Sequence, residues 1–309
     1  HTGKVNIGQH ITSALVLIAA EELNINPNQI AVAQTRTDSS PNESYTVGSQ
    51  SMQHSGYAIK KAAASARNEL TFRAANFFNV SVEQIEIEDG NLFIKKTNQS
   101  ISYWELLKNA PLECYVDETV DVKNHVLHQL QGKHHIARGM WDIVTGKYEF
   151  IQDLKLPNML HARVIRPPQY HAKLVSVEKK LIDKLADENI YLVRDGSFLA
   201  VGAKSEFAAV KAAKRVAMAA TWQIENSLDE SDIYELLLKN KRDSLLVEKG
   251  CIPNKDLEIP PLDKTNGQGD IIQNATYKKP YIMHGTIGPS AGAAVFDGQK
   301  LKVWTQNQG

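Results

Sequence analysis

The sequence has 309 residues, of which 42% are hydrophobic and 23% are charged, a length and composition that suggest an ordinary globular protein of about two domains. Lysine plus arginine and aspartate plus glutamate each total 35, and this zero net charge gives no reason to expect a nucleic-acid or anionic-membrane partner. The two cysteines, Cys114 and Cys251, are too few for a disulfide framework and form no C-x-x-C pair, so we expect no iron–sulfur cluster within this chain.

The first predicted unit, residues 1–125, mixes helices and strands. Apolar residues recur on one face of residues 11–23, which predicts a helix that ends before Asn26-Pro27. Asp89-Gly90 lies between two alternating runs and predicts a hairpin. In chain order we predict a strand at 4–8, the helix at 11–23, a strand at 30–34, a polar loop at 37–50, a long helix at 51–78 and the hairpin at 84–95.

Residues 126–140 are predicted to be a linker. Four histidines lie in it or beside it, namely His125, His128, His134 and His135. They permit two interpretations, a metal site or a solvated linker. Neighbouring histidines rarely both face one ion, and no carboxylate or cysteine falls at ligand spacing, so we favour the linker.

A second unit is predicted at residues 141–225, with a turn at 142–147, strands between 148 and 168, at 173–178 and at 190–202, and an amphipathic helix at 204–221. Arg194-Asp195-Gly196 predicts a turn between two of its strands. Residues 226–268 are charged and interrupted by prolines, which predicts a connection over the surface. Residues 269–309 return to a sheet pattern, with a turn at Asp297-Gly298.

Two glycine-bearing turns precede helices and are candidate binding sites. Gly8-Gln9 ends the predicted first strand at the start of a helix, where unpaired N–H groups attract anions, although the pattern alone favours a plain helix-capping turn. The loop TVGSQS at 46–51 combines Gly48 with small polar residues before the long helix. This loop is either a nest for a phosphate or an ordinary serine cap.

Common enzyme signatures are missing from the sequence. We find no G-x-S-x-G elbow, no phosphate-binding G-x-x-x-x-G-K-[ST] loop, no G-x-G-x-x-G after a strand and no H-E-x-x-H. His284 follows an apolar run, and we interpret it as a packed residue rather than a catalytic base.

Several separated blocks of the sequence resemble the molybdopterin-binding large subunit of the xanthine dehydrogenase and aldehyde oxidase family. The blocks GKVNIGQHITSALVLIAAEEL and PNESYTVGSQSMQHSG are similar to the family's cofactor segments, and ATYKKPYIMHGTIGPSAGAAVF followed by VWTQNQG is similar to the next one. Between them, DIVTGKYEFIQDLKLPNMLHARVIRPP resembles the a/b hammerhead domain. A cofactor segment that comes first resembles the isoquinoline 1-oxidoreductase and nicotinate dehydrogenase branch.

The resemblance implies an α+β fold in which cofactor-binding segments, at 1–125 and from 269, flank a hammerhead domain. It also implies a set of cofactor-binding residues, which are Gly8, Gln9, Gly48, Ser49, Gln50, Ser51 and Gln306. Gly8 and Gln9 match the first two positions of the family's GQG turn, whereas the third position is His10, whose side chain would hinder a close approach of the backbone. Gln306 matches a glutamine that lies beside the metal and orients its ligands.

The activity implied by the resemblance is that of a molybdenum hydroxylase, which oxidises an aldehyde or hydroxylates an N-heteroaromatic ring with oxygen from water. A small subunit with [2Fe-2S] clusters is the implied partner. The family's catalytic glutamate has no counterpart in these residues, so we expect the chain alone to be inactive and to hold little or no molybdenum–molybdopterin, as a fragment would.

Two other interpretations stay open from the sequence. The chain could be a non-catalytic split subunit or scaffold that binds partner chains, or a truncated structural piece. No run of roughly 18 apolar residues predicts a membrane span. No signal peptide is recognised, which leaves cytoplasm and periplasm both open.

Overall fold

The computed structural model describes residues 1–224, 233–239, 273 and 275–309. The chain forms two compact units, one made of His1–Leu154 together with Gly288–Gly309 and the other of Lys155–Ile287. The first unit is therefore discontinuous in sequence. Within the described residues, no helix combines the length and the apolar character that crossing a membrane requires.

The first unit begins with two helices that each end at an asparagine in the left-handed conformation. Helix α1 spans Ile11–Leu23 and is capped by Asn24 at φ 51°. A π-helical turn at Ser51–Gly56 leads into α2, Tyr57–Phe78, which is capped by Asn79 at φ 55°. Asparagine adopts this conformation at lower cost than other non-glycine residues, which stops each helix sharply.

A small antiparallel sheet follows α2. Its strands in order are β1 (Ile85–Glu88), β2 (Asn91–Ile94) and β3 (Ser100–Ser102), and a short helix, α3 (Tyr103–Leu106), comes next. The β1–β2 pairing places Glu88 opposite Asn91, so the predicted hairpin at Asp89-Gly90 is confirmed. Leu70 and Ala74 of α2 pack against Leu92 and Tyr103 to form this unit's core.

The predicted strands at residues 4–8 and 30–34 are wrong, because neither stretch forms a sheet ladder. Side chains satisfy backbone groups there instead. The Thr46 hydroxyl accepts from the backbone N–H of Val5, and the single hydrogen of the Thr35 hydroxyl lies within reach of the carbonyl oxygens of Thr2, at 3.2 Å, and Lys4, at 3.4 Å. An alternating pattern cannot distinguish a ladder from an extended segment fastened in this way.

Residues 126–154 belong to the first compact unit, whereas the sequence placed a linker at 126–140 and the next domain from 141. Their attachment is a carboxylate on α1. Glu21 accepts hydrogen bonds from the backbone N–H groups of Gln129, Leu130 and Gln131. The segment continues into α4 (Met140–Val144), where a turn was predicted, and into a 3₁₀ turn at Ile151–Asp153.

Two of the clustered histidines make local hydrogen bonds. His128 Nδ1 donates to the side-chain oxygen of Gln131, and His135 Nε2 donates to the carbonyl oxygen of Leu130. No group of three or more His, Cys, Asp or Glu side chains gathers as a metal site in the part of the chain that the structure describes.

The second unit is built from antiparallel strands and helices. Its elements are β4 (His161–Val164), β5 (Lys173–Val177), α5 (Lys179–Asp187), β6 (Tyr191–Asp195), β7 (Phe198–Ala203), α6 (Glu206–Ala219), β8 (Ala220–Gln223) and α7 (Ile233–Lys239). One sheet has the order β4-β7-β6 and β5 pairs with β8. Leu199 and Val201 of β7, Leu185 of α5 and Val216 of α6 form its core. Most of the predicted connection at 226–268 lies outside the described residues.

The chain ends in a second hairpin, which belongs to the first unit. Strands β9 (Gly292–Phe296) and β10 (Leu301–Thr305) pair antiparallel around the predicted turn at Asp297-Gly298. The Asp297 carboxylate accepts from the backbone N–H groups of Gln299 and Lys300 at 2.9 and 2.7 Å. Gly298 has φ 96°, which a residue with a side chain rarely adopts.

Candidate functional site

Thr46 joins three distant segments of the first unit. Its hydroxyl accepts from the backbone N–H of Val5 at 3.0 Å, and its own N–H donates to the carbonyl oxygen of Gln308 at 2.6 Å. The Gln308 side chain returns a longer contact, 3.5 Å, to the Thr46 carbonyl oxygen. Thr46 is only 5% exposed, so these bonds replace water contacts that the folded chain excludes.

A buried lysine fixes the loop just before Thr46. Lys4 is 2% exposed, and its Nζ donates to the carbonyl oxygens of Glu43, Ser44 and Tyr45 at 2.6, 3.3 and 2.8 Å. An ammonium group has three donors, so this arrangement can use all of them. The loop therefore has a defined path up to the polar stretch that begins at Thr46.

The Glu43 side chain supports the same loop from its other side. Its carboxylate accepts from the Thr2 hydroxyl at 2.6 Å and from the Gly3 backbone N–H. Burial raises the pKa of Glu43, but hydrogen bonds from Thr2, Ser55 and Gly3 outweigh it and hold the pKa below its usual value. Glu43 thus stays ionised and ties the first residues to the π-helical turn that contains Ser55.

The predicted Gly8-Gln9 turn lies directly before α1. Gly8 has φ 104°. The Gln9 amide closes the turn, since its oxygen accepts from the Ile7 N–H at 2.7 Å and its nitrogen donates to the Val5 carbonyl oxygen at 3.3 Å. His10 adopts the left-handed conformation, φ 54° and ψ 42°, before Ile11 starts the helix.

The predicted loop at 48–51 covers the beginning of the other long helix. Gly48 and Ser49 have consecutive positive φ angles of 60° and 59°. Gly48, Ser49 and Gln50 are exposed, whereas Ser51 is buried as the first residue of the π-helical turn. The loop thus presents polar atoms to solvent at the N-terminal end of a helical segment, where the backbone dipoles favour an anion.

The Gln306 amide, which follows β10, is held at both ends. Its oxygen accepts from the Ala291 backbone N–H at 3.2 Å, and its nitrogen donates to the side-chain oxygen of Gln152 at 3.2 Å. Gln306 lies two residues before Gln308, the partner of Thr46. Hydrogen bonds among Gln9, Val5, Thr46 and Gln308 therefore join the chain segments next to which Gly8, residues 48–51 and Gln306 lie.

Sequence reasoning missed the residues that connect these segments. Thr46 was part of the TVGSQS loop but received no role, and Lys4 was assigned to a strand. Glu43 and Gln152 lie in blocks that carry the family resemblance but received no role of their own. Lys4 and Thr46 stand out only because both are buried, and burial is known only once the chain has folded.

Comparison with known proteins gives a family match and two relatives. Residues 1–151 match the model of the molybdopterin cofactor-binding domain. The chain is 28% identical over 317 aligned positions to a nicotinate dehydrogenase subunit of Pseudomonas putida, an alignment that covers 99% of this chain and 26% of that protein. It is 30% identical over 105 positions to the gamma subunit of the 6-hydroxypseudooxynicotine dehydrogenase complex of Paenarthrobacter nicotinovorans, covering 34% of this chain and 13% of that one. The chain thus spans about a quarter of the length of the first relative.

Proposed function

The chain belongs to the molybdopterin-binding subunits of the xanthine dehydrogenase family, and we propose that its first compact unit helps to hold a molybdenum–molybdopterin cofactor in a heteroaromatic hydroxylase. The residues proposed to hold it are those assigned from the sequence, namely Gly8, Gln9, Gly48, Ser49, Gln50, Ser51 and Gln306. The observation that supports the proposal is the Thr46 junction, which links the segments that carry them.

The residues present fit such a group. A pyranopterin with a phosphate needs polar contacts along its length and an anion site at one end. The exposed residues 48–50 lie at the N-terminal end of a helical segment, and a side chain built at Gly8 would meet no atom within 4 Å, so the Gly8 backbone is open to a ligand. His10 has φ 54° and ψ 42°, a left-handed conformation that glycine also adopts readily, so the backbone of this turn is compatible with the glycine of the family's turn.

The proposed reaction is hydroxylation of an N-heteroaromatic ring carbon with oxygen from water. The bound cofactor would supply a metal centre that takes up the two electrons removed from the substrate. This chain's contribution would be to bind and orient: backbone groups at 48–51 would hold the anionic end, and the Gln306 amide would help to orient the ligands of the metal. A compound such as nicotinate is the substrate class we favour over an aldehyde, because both relatives are named for nicotine-type heteroaromatic compounds.

Two further assignments accompany the proposal. A partner subunit with [2Fe-2S] clusters would receive the electrons, since in the part of the chain that the structure describes the only cysteine is the exposed Cys114. The sequence assigned a hammerhead-like domain to residues 141–225. Most of these residues lie in the second unit, and we propose that its antiparallel strands and helices form the a/b hammerhead domain. The names of both relatives describe parts of larger enzymes, which supports an assembly of several chains.

A matched pair of glycine variants tests the cofactor site. Gly48 and Gly196 have nearly equal backbone angles, φ 60° and φ 56°, but Gly196 lies in the β6–β7 turn of the second unit. Each is replaced by valine, the chain is tagged in its native cells, and molybdenum and pterin are measured in the purified complex. Valine is strained about equally at both positions because φ > 0 is costly for a β-branched residue, so only the location differs. We expect Gly48→Val, which distorts the 48–51 loop, to lower both at least about tenfold, and Gly196→Val to leave both unchanged.

Two outcomes would overturn the proposal. A wild-type complex that contains neither molybdenum nor pterin would show that the protein does not hold the proposed cofactor. Equal metal content in the Gly48→Val and Gly196→Val complexes would show that the 48–51 loop is not part of the cofactor site. Turnover of nicotinate, compared with that of an aldehyde of similar size, separates the two substrate classes in the same preparations.

A further inference from the structure

The amide of Gln306 can have only one orientation in this structure. The Ala291 backbone N–H is a donor and cannot accept, so the Gln306 atom that it meets must be the oxygen. The other end must then be the NH2 group, which only donates. Gln152 therefore has to present its own oxygen to this group, as it does at 3.2 Å.

From this contact we propose that Gln152 is a positioning residue, which fixes the direction in which Gln306 offers its amide to the cofactor. The inference rests on the proposed function, in which Gln306 faces the metal. One Nε2 hydrogen and one Oε1 lone pair of Gln306 are left over by the two bonds. Gln306 is exposed, so a ligand can reach this hydrogen and this lone pair. The contacts with Gln152 and Ala291 fix the direction in which the amide nitrogen and the amide oxygen of Gln306 face.

The backbone that carries Gln152 is restrained by local hydrogen bonds. Gln152 lies in the 3₁₀ turn Ile151–Asp153, which is closed by a hydrogen bond from the Asp153 N–H to the Phe150 carbonyl oxygen at 3.0 Å. The Asp153 carboxylate accepts from the Phe150 N–H at 2.9 Å and locks the turn from the other side. A positioning contact works only if its own support is rigid, and this turn supplies that support.

The contact also connects two parts of the unit that no local motif relates. Gln152 and Gln306 are 154 positions apart in the chain. Gly288 lies beside the Gln152 amide, since a side-chain carbon built there would stand 3.9 Å from its nitrogen. The end of the first long segment and the returning hairpin therefore meet at this amide pair.

Three variants of the tagged complex test the role. Gln152→Glu keeps an oxygen acceptor for the Gln306 NH2 group, Gln152→Leu keeps the size but removes the acceptor, and Gln299→Leu is the matched control in the exposed β9–β10 turn. For Gln152→Leu we expect a changed Mo(V) electron paramagnetic resonance spectrum and a kcat for nicotinate lowered about 10- to 100-fold, with KM and molybdenum content near wild type. Gln152→Glu should restore most of the spectrum and of kcat, and Gln299→Leu should change neither.

The proposal is overturned if Gln152→Leu leaves both the spectrum and kcat unchanged, or if the Glu and Leu variants are equally impaired. A structural role alone would lower molybdenum content or stability without the rescue by glutamate.

A readout without cofactor separates this inference from the proposed function. In the 309-residue chain labelled with ¹⁵N at glutamine side chains, the Gln306 NH2 resonances should be dispersed, with a nuclear Overhauser contact between Gln152 and Gln306. Gln152→Leu should collapse the Gln306 dispersion toward free-amide values, and Gln299→Leu should not. If the wild-type complex lacks molybdenum but this pattern holds, the proposed function fails while the amide contact stands; unchanged Gln306 resonances in Gln152→Leu overturn the positioning role itself.

Discussion

The backbone N–H of Thr46 donates a 2.6 Å hydrogen bond to the carbonyl oxygen of Gln308, which lies 262 residues further along the chain. Residues 155–287 form their own compact unit between these two positions. The first unit is therefore complete only after the chain has returned to it at residue 288. The candidate site lies next to the Thr46–Gln308 hydrogen bond, because the 48–51 loop follows Thr46 and Gln306 precedes Gln308.

The Thr46 hydroxyl should be important for stability. In Thr46→Val the shape is kept, but the Val5 N–H loses its acceptor at a site that is 5% exposed. We expect a loss of about 1–3 kcal/mol in the free energy of unfolding, measured by urea denaturation. Thr221→Val, at an exposed position of β8, is the control and should change stability by less than about 0.5 kcal/mol. Equal stability of both variants would contradict the junction.

Replacing Lys4 should lower the stability of the protein more than replacing an exposed lysine does. Lys4→Met fills similar volume but removes a charged donor from three loop carbonyl oxygens, so we expect a loss of about 3 kcal/mol in the free energy of unfolding. Proteolysis between residues 43 and 46 should become faster in the variant because the loop loses its anchor. Lys180→Met, on the exposed face of α5, should be nearly neutral. A stable, protease-resistant Lys4→Met protein would show that the loop holds its path by other means.

Glu21 predicts how stability falls in acid. Burial raises the pKa of Glu21, but hydrogen bonds from Lys123 and from the N–H groups of Gln129 and Leu130 outweigh burial and lower the pKa from 4.5 to about 2. Because the folded pKa is depressed, the stabilisation is complete above the unfolded value and is lost as pH falls from about 4.5 toward 2. This shift corresponds to about 3 kcal/mol at neutral pH.

Unfolding curves of wild type, Glu21→Gln and Lys123→Met between about pH 2 and 7 test this claim. Glu21→Gln should be less stable at neutral pH and should show a smaller loss of stability between pH 4.5 and 2. Lys123→Met removes the 2.8 Å partner of the carboxylate, so its acid transition should move to higher pH. An unchanged pH slope in Glu21→Gln would contradict the assignment.

Helices and hairpins with strong local signals could be predicted from the sequence. Residues 11–23 form the predicted helix, and Asp89-Gly90 forms the predicted turn, because apolar spacing and turn residues are local properties. The extended segment at 4–8 was predicted wrongly as a strand. Its hydrogen-bond partners are side chains and loops that lie about 40 positions away, as between Lys4 and Tyr45, and no local pattern encodes them.

In the candidate site, too, some residues could be predicted from the sequence and others could not. The glycine turns and Gln306 could be selected from the sequence because their residue types match a familiar pattern. Outside the site, Glu21 was missed as the anchor of residues 129–131, because a glutamate on a predicted helix is normally assigned to the solvated face. Gln152 was missed because an exposed glutamine in a turn carries no signal until the returning hairpin is placed beside it.

His10 tests whether the turn before α1 is set by its backbone or by its ring. The residue has φ 54° and ψ 42°, a conformation that costs an ordinary residue about 1–2 kcal/mol and glycine almost nothing. Glycine also loses more conformational entropy on folding, which offsets about 0.5–1 kcal/mol of the gain. His10→Gly should therefore raise the free energy of unfolding by about 0.5–1 kcal/mol, measured in urea. His10→Ala removes the ring but keeps the strain, so it should lie within about 0.5 kcal/mol of wild type. If His10→Gly is less stable than His10→Ala, then the left-handed backbone is not the constraint at this turn, whereas a His10→Ala protein much less stable than wild type would show that the imidazole makes a stabilising contact.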